Sequence, residues 1–187
     1  MTTETITYLV KLKDRFSVAE GTLALQFEKP ANFIFRSGQS IDLTLRNPSE
    51  TDAEGNVRTF SIASSPEEDL LMVATRMRDS TFKRELAKMP LDTEIIITVA
   101  SGGLVLHNNS ARTAIFLAGG IGVTPIRSIL VHAAHARLPH RIVFSFPTGG
   151  RKMRRFSMSW RRCKKRFYRH LCGRIFRPPQ WNRIAVL

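Results

Sequence analysis

Over roughly the first hundred residues, apolar and polar side chains alternate with a period of two. Ile6, Tyr8, Val10 and Leu12 form one such run. Leu23, Leu25 and Phe27 form a second, Ile41, Leu43 and Leu45 a third, and Ile95, Ile97 and Val99 a fourth. This alternation predicts strands with one buried face and one wet face. Turn signals separate the runs at Glu20-Gly21, Ser37-Gly38, Asn47-Pro48 and Glu54-Gly55-Asn56. Short strands at this spacing predict an antiparallel barrel or sandwich. One helix is expected among them: Ser80 or Thr81 caps FKRELAKM, with Phe82, Leu86 and Met89 on one face and Pro90 ending it.

The pattern changes near residue 112. Residues 113–118, TAIFLA, are almost continuously apolar, as expected of a strand buried on both faces. A glycine-rich turn follows. Then Ile126, Ile129, Leu130, Ala133 and Ala134 recur at helical spacing until Pro139, and RIVFSF reads as another strand. Strand, glycine turn, helix and strand make one βαβ unit and hence a parallel sheet. The boundary between the two patterns is placed in LHNNSAR, residues 106–112. That divides the chain into residues 1–108, residues 109–146 and a remainder, 147–187.

Charge sharpens that division. The net charge is +14, yet all 15 acidic residues lie between Glu4 and Glu94. Of the 29 Lys and Arg, 15 fall in residues 1–140 and offset the acids there; the other 14 fall in residues 141–187, which contain no acid. Single-sign blocks usually mark tails or interaction segments. No apolar run approaches the ~20 residues that span a bilayer. The start, MTTETITYLVKLKDR, lacks the basic and apolar regions of a secretion signal. Cys163 and Cys172 are too few for a disulfide scaffold or an iron–sulfur cluster. A reducing, cytoplasmic setting is therefore the expectation. His132 and His135 lie three apart on the expected helix without an acidic or cysteine partner in the neighbouring sequence, so no metal site is expected there.

Two stretches carry candidate chemistry. In GGIGVTP, Gly119, Gly120 and Gly122 lie at the strand-to-helix turn, where a bare backbone allows a ligand to approach and the first helical N–H groups favour an anion such as a pyrophosphate. Pro125 suits the first turn, where its missing N–H costs nothing. The spacing differs from the full dinucleotide fingerprint, and the same glycines also fit a tight turn without a ligand. In RTFSIASSP, residues 58–66, a cation, an aromatic ring and several hydroxyls fall close together. Arg58 and Phe60 project to one face of a strand and Ser61 to the other. Such a set can hold a phosphate, stack on a planar ring and hydrogen-bond a heteroatom. Alone, it reads equally as a strand ending in a Ser-Ser-Pro turn.

Taken in order, these stretches resemble the ferredoxin–NADP reductase superfamily over residues 5–146. RTFSIASSP resembles that family's Arg-x-Tyr-Ser-x-x-Ser flavin motif, GGIGVTP its pyridine-nucleotide loop, and RMRDSTFKREL, residues 76–86, its second flavin-phosphate segment. The resemblance implies an antiparallel Greek-key β-barrel that binds FAD, with FMN the lesser alternative, followed by a partial Rossmann-like parallel α/β domain. It implies that Arg58 pairs with a flavin phosphate, Phe60 lies against the isoalloxazine ring, and Ser61, the residue nearest the chemistry, bonds the flavin near N5. Thr59, Ser64 and Arg76 join the cofactor-binding set, and Ser80 and Thr81 contact the phosphates. Gly119, Gly120 and Gly122 line the path of NAD(P)H, with Thr124 and Pro125 shaping its pocket. The implied activity is hydride transfer from NAD(P)H to flavin and electron transfer onward to a separate acceptor, with no acid–base side chain required. Phe60 stands where the family often has Tyr, and the family's Gly-Pro-x-Gly segment appears only as ASGGLVL, residues 100–106.

Beyond RIVFSF the resemblance stops. From Thr113 only 75 residues remain, and a βαβ unit takes ~30 or more. The remainder shows no strand–helix alternation. Three readings fit it: a displaced reading frame or truncation, a divergent folded remainder, or a basic arm. In the arm, Phe156, Trp160, Phe167, Tyr168 and Trp181 interleave with cations as in proteins that track nucleic acid. Nucleic-acid binding through this arm is the alternative function. With no carboxylate available to grip an NAD ribose, Arg151 or Lys152 would favour a 2′-phosphate.

Overall fold

The computed structural model describes residues 6–147 and the backbone of residues 153–158. Six strands, β1 (Thr7–Ala19), β2 (Thr22–Glu28), β3 (Ser40–Leu45), β4 (Val57–Ser61), β5 (Leu70–Arg76) and β6 (Glu94–Thr98), form one antiparallel sheet in the order β4-β3-β6-β1-β2-β5. Its two ends meet: Ile62 bridges Val73, and the Ala63 N–H donates to the Met72 carbonyl at 2.7 Å. The expected barrel is thus observed, with β6 inserted between β3 and β1 in Greek-key fashion. Closure is local: it joins the residues just after β4 to β5 and leaves β4 itself paired on one side only.

The long first strand makes closure possible. Residues 7–11 of β1 pair with β6, while its second half pairs with β2 through register shifts after Leu12 and Ser17. Bulges bend a strand and increase its twist, so one strand serves both walls. The alternation read in the sequence points inward: Val10, Leu12, Leu25, Phe27, Ile41, Leu43, Leu45, Ile95 and Ile97 fill the barrel. Ile6 and Val99 fall at strand ends and stay exposed. Helix α1 (Thr81–Lys88) has Ser80 as its N-cap and plugs one end of the barrel with Phe82, Leu86 and Met89.

Strand β5, LLMVATR, carries the next layer. Residues 71–75 are all buried because both faces are covered. Leu71 and Val73 face the barrel core; Met72 and Ala74 face out, beside Ala24 of β2, and are covered by a second unit. That unit comprises β7 (Ala114–Leu117), a single 3-10 turn at Gly120–Gly122, α2 (Val123–His135), β8 (Ile142–Pro147) and β9 (Met153–Met158). Strand β7 pairs parallel with β8, as the βαβ pattern predicted, and β8 pairs antiparallel with β9. Strand β9 lies in the remainder whose pattern showed no strand. The expectations placed on Arg151 and Lys152, on the cysteines and on residues 159–187 fall outside the described residues. Among the described residues, no helix is long and apolar enough to cross a membrane.

Helix α2 is sandwiched between the small sheet and the barrel wall. Val123, Ile126, Leu130 and Ala133 pack with Ala24, Ala63, Met72 and Ala74 of the barrel and with Ala114, Ile142 and Phe144 of the small sheet. The small barrel residues let the helix approach closely, and each apolar residue taken fully from water adds about 1.5–3 kcal/mol. One expectation fails here. Strand β7 is not buried on both faces: Ile115 and Leu117 are 66% and 71% exposed. Helix α2 covers one face, and no described residue covers the other.

Gly38 lies close to the backbone of residue 104 and to the side chain of Ile129 on α2. Its φ is +99°; a Cβ there would overlap the Leu104 carbonyl oxygen and lie 2.9 Å from Cδ1 of Ile129 on α2. Gly38→Ala is expected to lower stability by about 2 kcal/mol or more. Gly55→Ala, at φ +75° with open space around the added methyl, is expected to lose only about 1 kcal/mol. Urea unfolding measures both, and equal losses would show that contact with the linker and α2 carries no weight.

Candidate functional site

The start of α1 gathers positive charge. Ser80 caps the helix in extended conformation (φ −161°, ψ 131°), but its hydroxyl makes no capping bond, and no acid lies in the first turn. The helix N-terminus thus keeps its partial positive charge and free N–H groups. Arg58 reaches this end from β4, its guanidinium carbon 5.3 Å from the Phe82 ring centroid. Lys83 donates to the Arg76 carbonyl at 2.7 Å. Burial, and then the charges of Arg78 and Arg58, hold the Lys83 ammonium below its ordinary pKa. Three cations therefore share one patch.

Arg58 is partly engaged already. It donates to the carbonyls of Glu54, Gly55 and Val57, and pairs with Asp52 at 3.3 Å and Glu54 at 2.7 Å. Burial opposes ionisation of Asp52. Hydrogen bonds from the Glu54 N–H and the Thr81 hydroxyl, with the charge and hydrogen bond of Arg58, outweigh it, so Asp52 lies below the usual carboxylate range. Asp52 thereby joins two of the expected phosphate-binding residues, Arg58 and Thr81. An anionic ligand here would compete with Asp52 and Glu54 for Arg58.

Phe60 takes a different place from the expected ring platform. It is only 8% exposed and stacks on Phe82 with centroids 6.0 Å apart, as part of the barrel core. Alternation along β4 puts Thr59 and Ser61 on the outer side. Thr59 is exposed and donates its hydroxyl to Asp42; Ser61 is half-buried and pairs with Ser40. Ser64 is 1% exposed: its hydroxyl accepts the Met72 N–H at 2.9 Å, so it supports backbone. Arg76 ends β5 in solvent.

At the other constellation, Gly119, Gly120 and Gly122 are exposed, and a Cβ on Gly120 or Gly122 would meet nothing within 4 Å. Packing does not demand these glycines. At Gly120 a φ of +54° does. The turn opens α2 with no side-chain cap and no acid in the first turn. Thr124 and Pro125 are buried behind it, the Thr124 hydroxyl donating to the Ile121 carbonyl at 2.9 Å.

The two constellations meet across β5. The glycine turn lies against β5, and the segment after β4 is bridged to the same strand. Helix α2 then grips that segment. Arg127 donates to the Ala63 carbonyl at 2.6 Å and to both carboxylate oxygens of Glu68 at 2.9 Å. The Ser128 hydroxyl donates to the Ser64 carbonyl at 2.6 Å. His132 bonds Glu67 at 2.6 Å, so it does have an acidic partner, supplied from 65 residues away. Among the described residues no group of three or more His, Cys, Asp or Glu is placed to hold a metal ion.

Arg127, Glu68, Lys83, Arg78 and Asp52 were missed in the sequence. Arg127 left one trace there, a cation between Ile126 and Ile129 on the apolar face of its helix. Removing one partner of such a buried pair strands the other's charge, at about 3–5 kcal/mol.

No family model matches the chain. Two curated relatives do match in sequence. The reductase subunit of glycine betaine monooxygenase from Chromohalobacter salexigens is 27% identical over 140 residues, 66% of this chain. The reductase subunit of phthalate 4,5-dioxygenase from Pseudomonas putida is 26% identical over 143 residues, 72% of this chain. The chain spans only 36% and 42% of those two proteins. Among solved structures, ferredoxin-NADP+ reductase from Plasmodium falciparum with 2'P-AMP superposes with a TM-score of 0.63 at 18% identity, over 78% of this chain and 63% of that one. Phthalate dioxygenase reductase superposes at 0.62 and 15% identity, over 75% and 43%. Over part of its length the chain is thus similar in sequence to oxygenase reductase subunits and in fold to ferredoxin reductases. A ferredoxin-NADP+ reductase from Neisseria gonorrhoeae, determined with bound FAD and NADP, shares that fold at a TM-score of 0.56 and 21% identity over 66% of this chain and 50% of its own.

Acid should loosen the join between the units. Burial favours the protonated form of Glu67, but hydrogen bonds from His132, its own backbone N–H and Ser65, with the charge of His132, outweigh it and hold Glu67 below its ordinary 4.5. A depressed carboxyl contributes stability above its unfolded pKa and loses it as pH falls through the folded value. The melting temperature of the unmodified chain is therefore expected to fall more steeply below pH 4.5 than that of Glu67→Gln. Parallel acid limbs in a thermal melt series would refute this.

Proposed function

We propose that this chain is the flavin-binding and nicotinamide-facing part of an NAD(P)H-dependent electron-transfer reductase. One observation carries the reading: an uncapped, cation-lined helix start follows β5 and bonds its last carbonyl, an open glycine turn lies against the same strand, and α2 bonds the segment that leaves β4. The donor chemistry fits a phosphate-bearing flavin. Arg58, Ser80 and Thr81 would hold the phosphates at the N–H groups of α1, with Lys83 and Arg78 adding charge. FAD is the flavin proposed, and FMN would use the same cations.

The ring would rest along the outer edge of β4, with Thr59 and Ser61 beside it. Phe60 would support that edge from behind, in stack with Phe82. Ser61 would donate to the ring near its reactive edge. Gly119, Gly120 and Gly122 leave room for a dinucleotide, whose pyrophosphate would lie on the N–H groups at the start of α2. Thr124 and Pro125 would shape that turn from beneath. The flavin, when bound, accepts a hydride from the nicotinamide and passes electrons to a separate acceptor. The protein's part is to hold the two rings in register and keep water out.

Reconstitution with FAD or FMN tests the reading. Flavin fluorescence is expected to quench on binding, and anaerobic NADPH is expected to bleach the visible bands. Arg58→Ala with Lys83→Met should weaken flavin binding by about a hundredfold or more, since each charge-assisted phosphate contact contributes roughly 1.5–3 kcal/mol. A chain that takes up neither flavin overturns the proposal.

A further inference from the structure

We propose that Arg127 is a positioning residue that sets the distance between the two cofactor-facing segments. The inference rests on the function proposed above and names the device that makes its geometry possible. The bonds of Arg127 to Ala63 and Glu68 reach the segment between β4 and β5. Arg127 acts through the backbone of that segment.

Arg127 is 2% exposed, and its guanidinium reaches three acceptors on that segment. One is the carbonyl of Ala63, two residues beyond Ser61. The others are both carboxylate oxygens of Glu68. Glu68 in turn accepts the Ser65 N–H at 2.7 Å, so the same carboxylate shapes the turn and receives the helix. Ser128 adds the bond to the Ser64 carbonyl. Consecutive carbonyls, 63 and 64, thus point at consecutive residues of α2.

The glycine turn begins the same helix. Gly122 precedes Arg127 by five residues, about 7.5 Å along a helix axis. A helix is rigid over that length. Fixing Arg127 to Ala63 and Glu68 therefore fixes the glycine turn relative to Ser61. A guanidinium suits this task because its planar fork engages a carboxylate bidentately and leaves a donor for the carbonyl. A lysine has one nitrogen and cannot hold both in the same geometry. An ordinary ion pair between packed units needs none of this direction.

The test compares three forms of the full chain: unmodified, Arg127→Lys, and Arg127→Met combined with Glu68→Gln. The double variant removes both charges together, which avoids a stranded buried ion, and the introduced side-chain amide keeps an acceptor for the Ser65 N–H. Four readouts are taken: melting temperature, flavin affinity, the long-wavelength absorbance of a nicotinamide stacked on flavin, and the flavin reduction rate at saturating NADPH. Amide hydrogen exchange over residues 61–68 is followed in the flavin-free chain.

The double variant is expected to keep its fold and its flavin affinity. Its long-wavelength band should disappear, its reduction rate should fall by about tenfold or more, and amides 63–65 should exchange faster by a similar factor. Arg127→Lys should fall between the two. A folded double variant with unchanged band, rate and exchange overturns the proposal. So does a loss confined to flavin affinity, because that would place Arg127 in binding alone. If the unmodified chain binds no flavin, the functional reading fails by itself. Exchange then decides whether Arg127 sets the turn: unchanged protection overturns it, and faster exchange upholds it.

Discussion

The fork between Arg127 and Glu68 is the contact on which the arrangement of this molecule depends. A charged group so deeply buried is tolerated only when its hydrogen bonds are met. Here a carboxylate and a carbonyl engage both terminal nitrogens, and both lie on the stretch that leaves the flavin-like motif. The apolar seat around the pair supplies the affinity of helix for barrel, and the pair supplies its direction. Hydrophobic contact alone would let α2 slide or rotate on a surface of alanines. Directed bonds from adjacent residues to adjacent carbonyls select one register.

That seat has a simple origin. Strand β5 is covered on both faces, its inner residues by the barrel and its outer residues by α2. Where the barrel wall carries Ala24, Ala63 and Ala74, the helix approaches closely. Where β7 has no second layer, Ile115 and Leu117 remain open to solvent. The same sheet thus has one face that is part of a continuous core and one that is not. Its stability comes from the barrel side.

Electrostatics are divided along the molecule. Acids dominate the loop at residues 50–54 and the turn at residues 67–69, and each cluster faces a cation, Arg58 at the first and Arg127 at the second, with His132 bonded to Glu67 beside it. The first turns of α1 and α2 are free of acids of their own, although Asp52 and Glu54 reach Arg58 beside α1 from the preceding loop. Both helices begin directly after a turn, so both owe their potential at that end to backbone as much as to side chains.

The barrel strands, α1 and α2 were legible in the sequence because period and capping are local properties. Val10, Leu12, Ile41 and Leu43 face inward as their alternation indicated, and Ser80 caps α1 as its composition indicated. The glycine turn was legible because a left-handed φ at Gly120 is a property of one residue. What the sequence could not decide were matters of coverage and partnership. Phe60 reads the same whether its ring faces a ligand or Phe82, and only the closed barrel turned it inward. The run at residues 113–118 reads as doubly buried, yet only one layer arrived to cover it. Arg127 and Glu68, 59 residues apart, carry no mutual signal along the chain. Burial, ion pairing and the approach of two sites depend on distant segments packing together, and only the tertiary structure decided them.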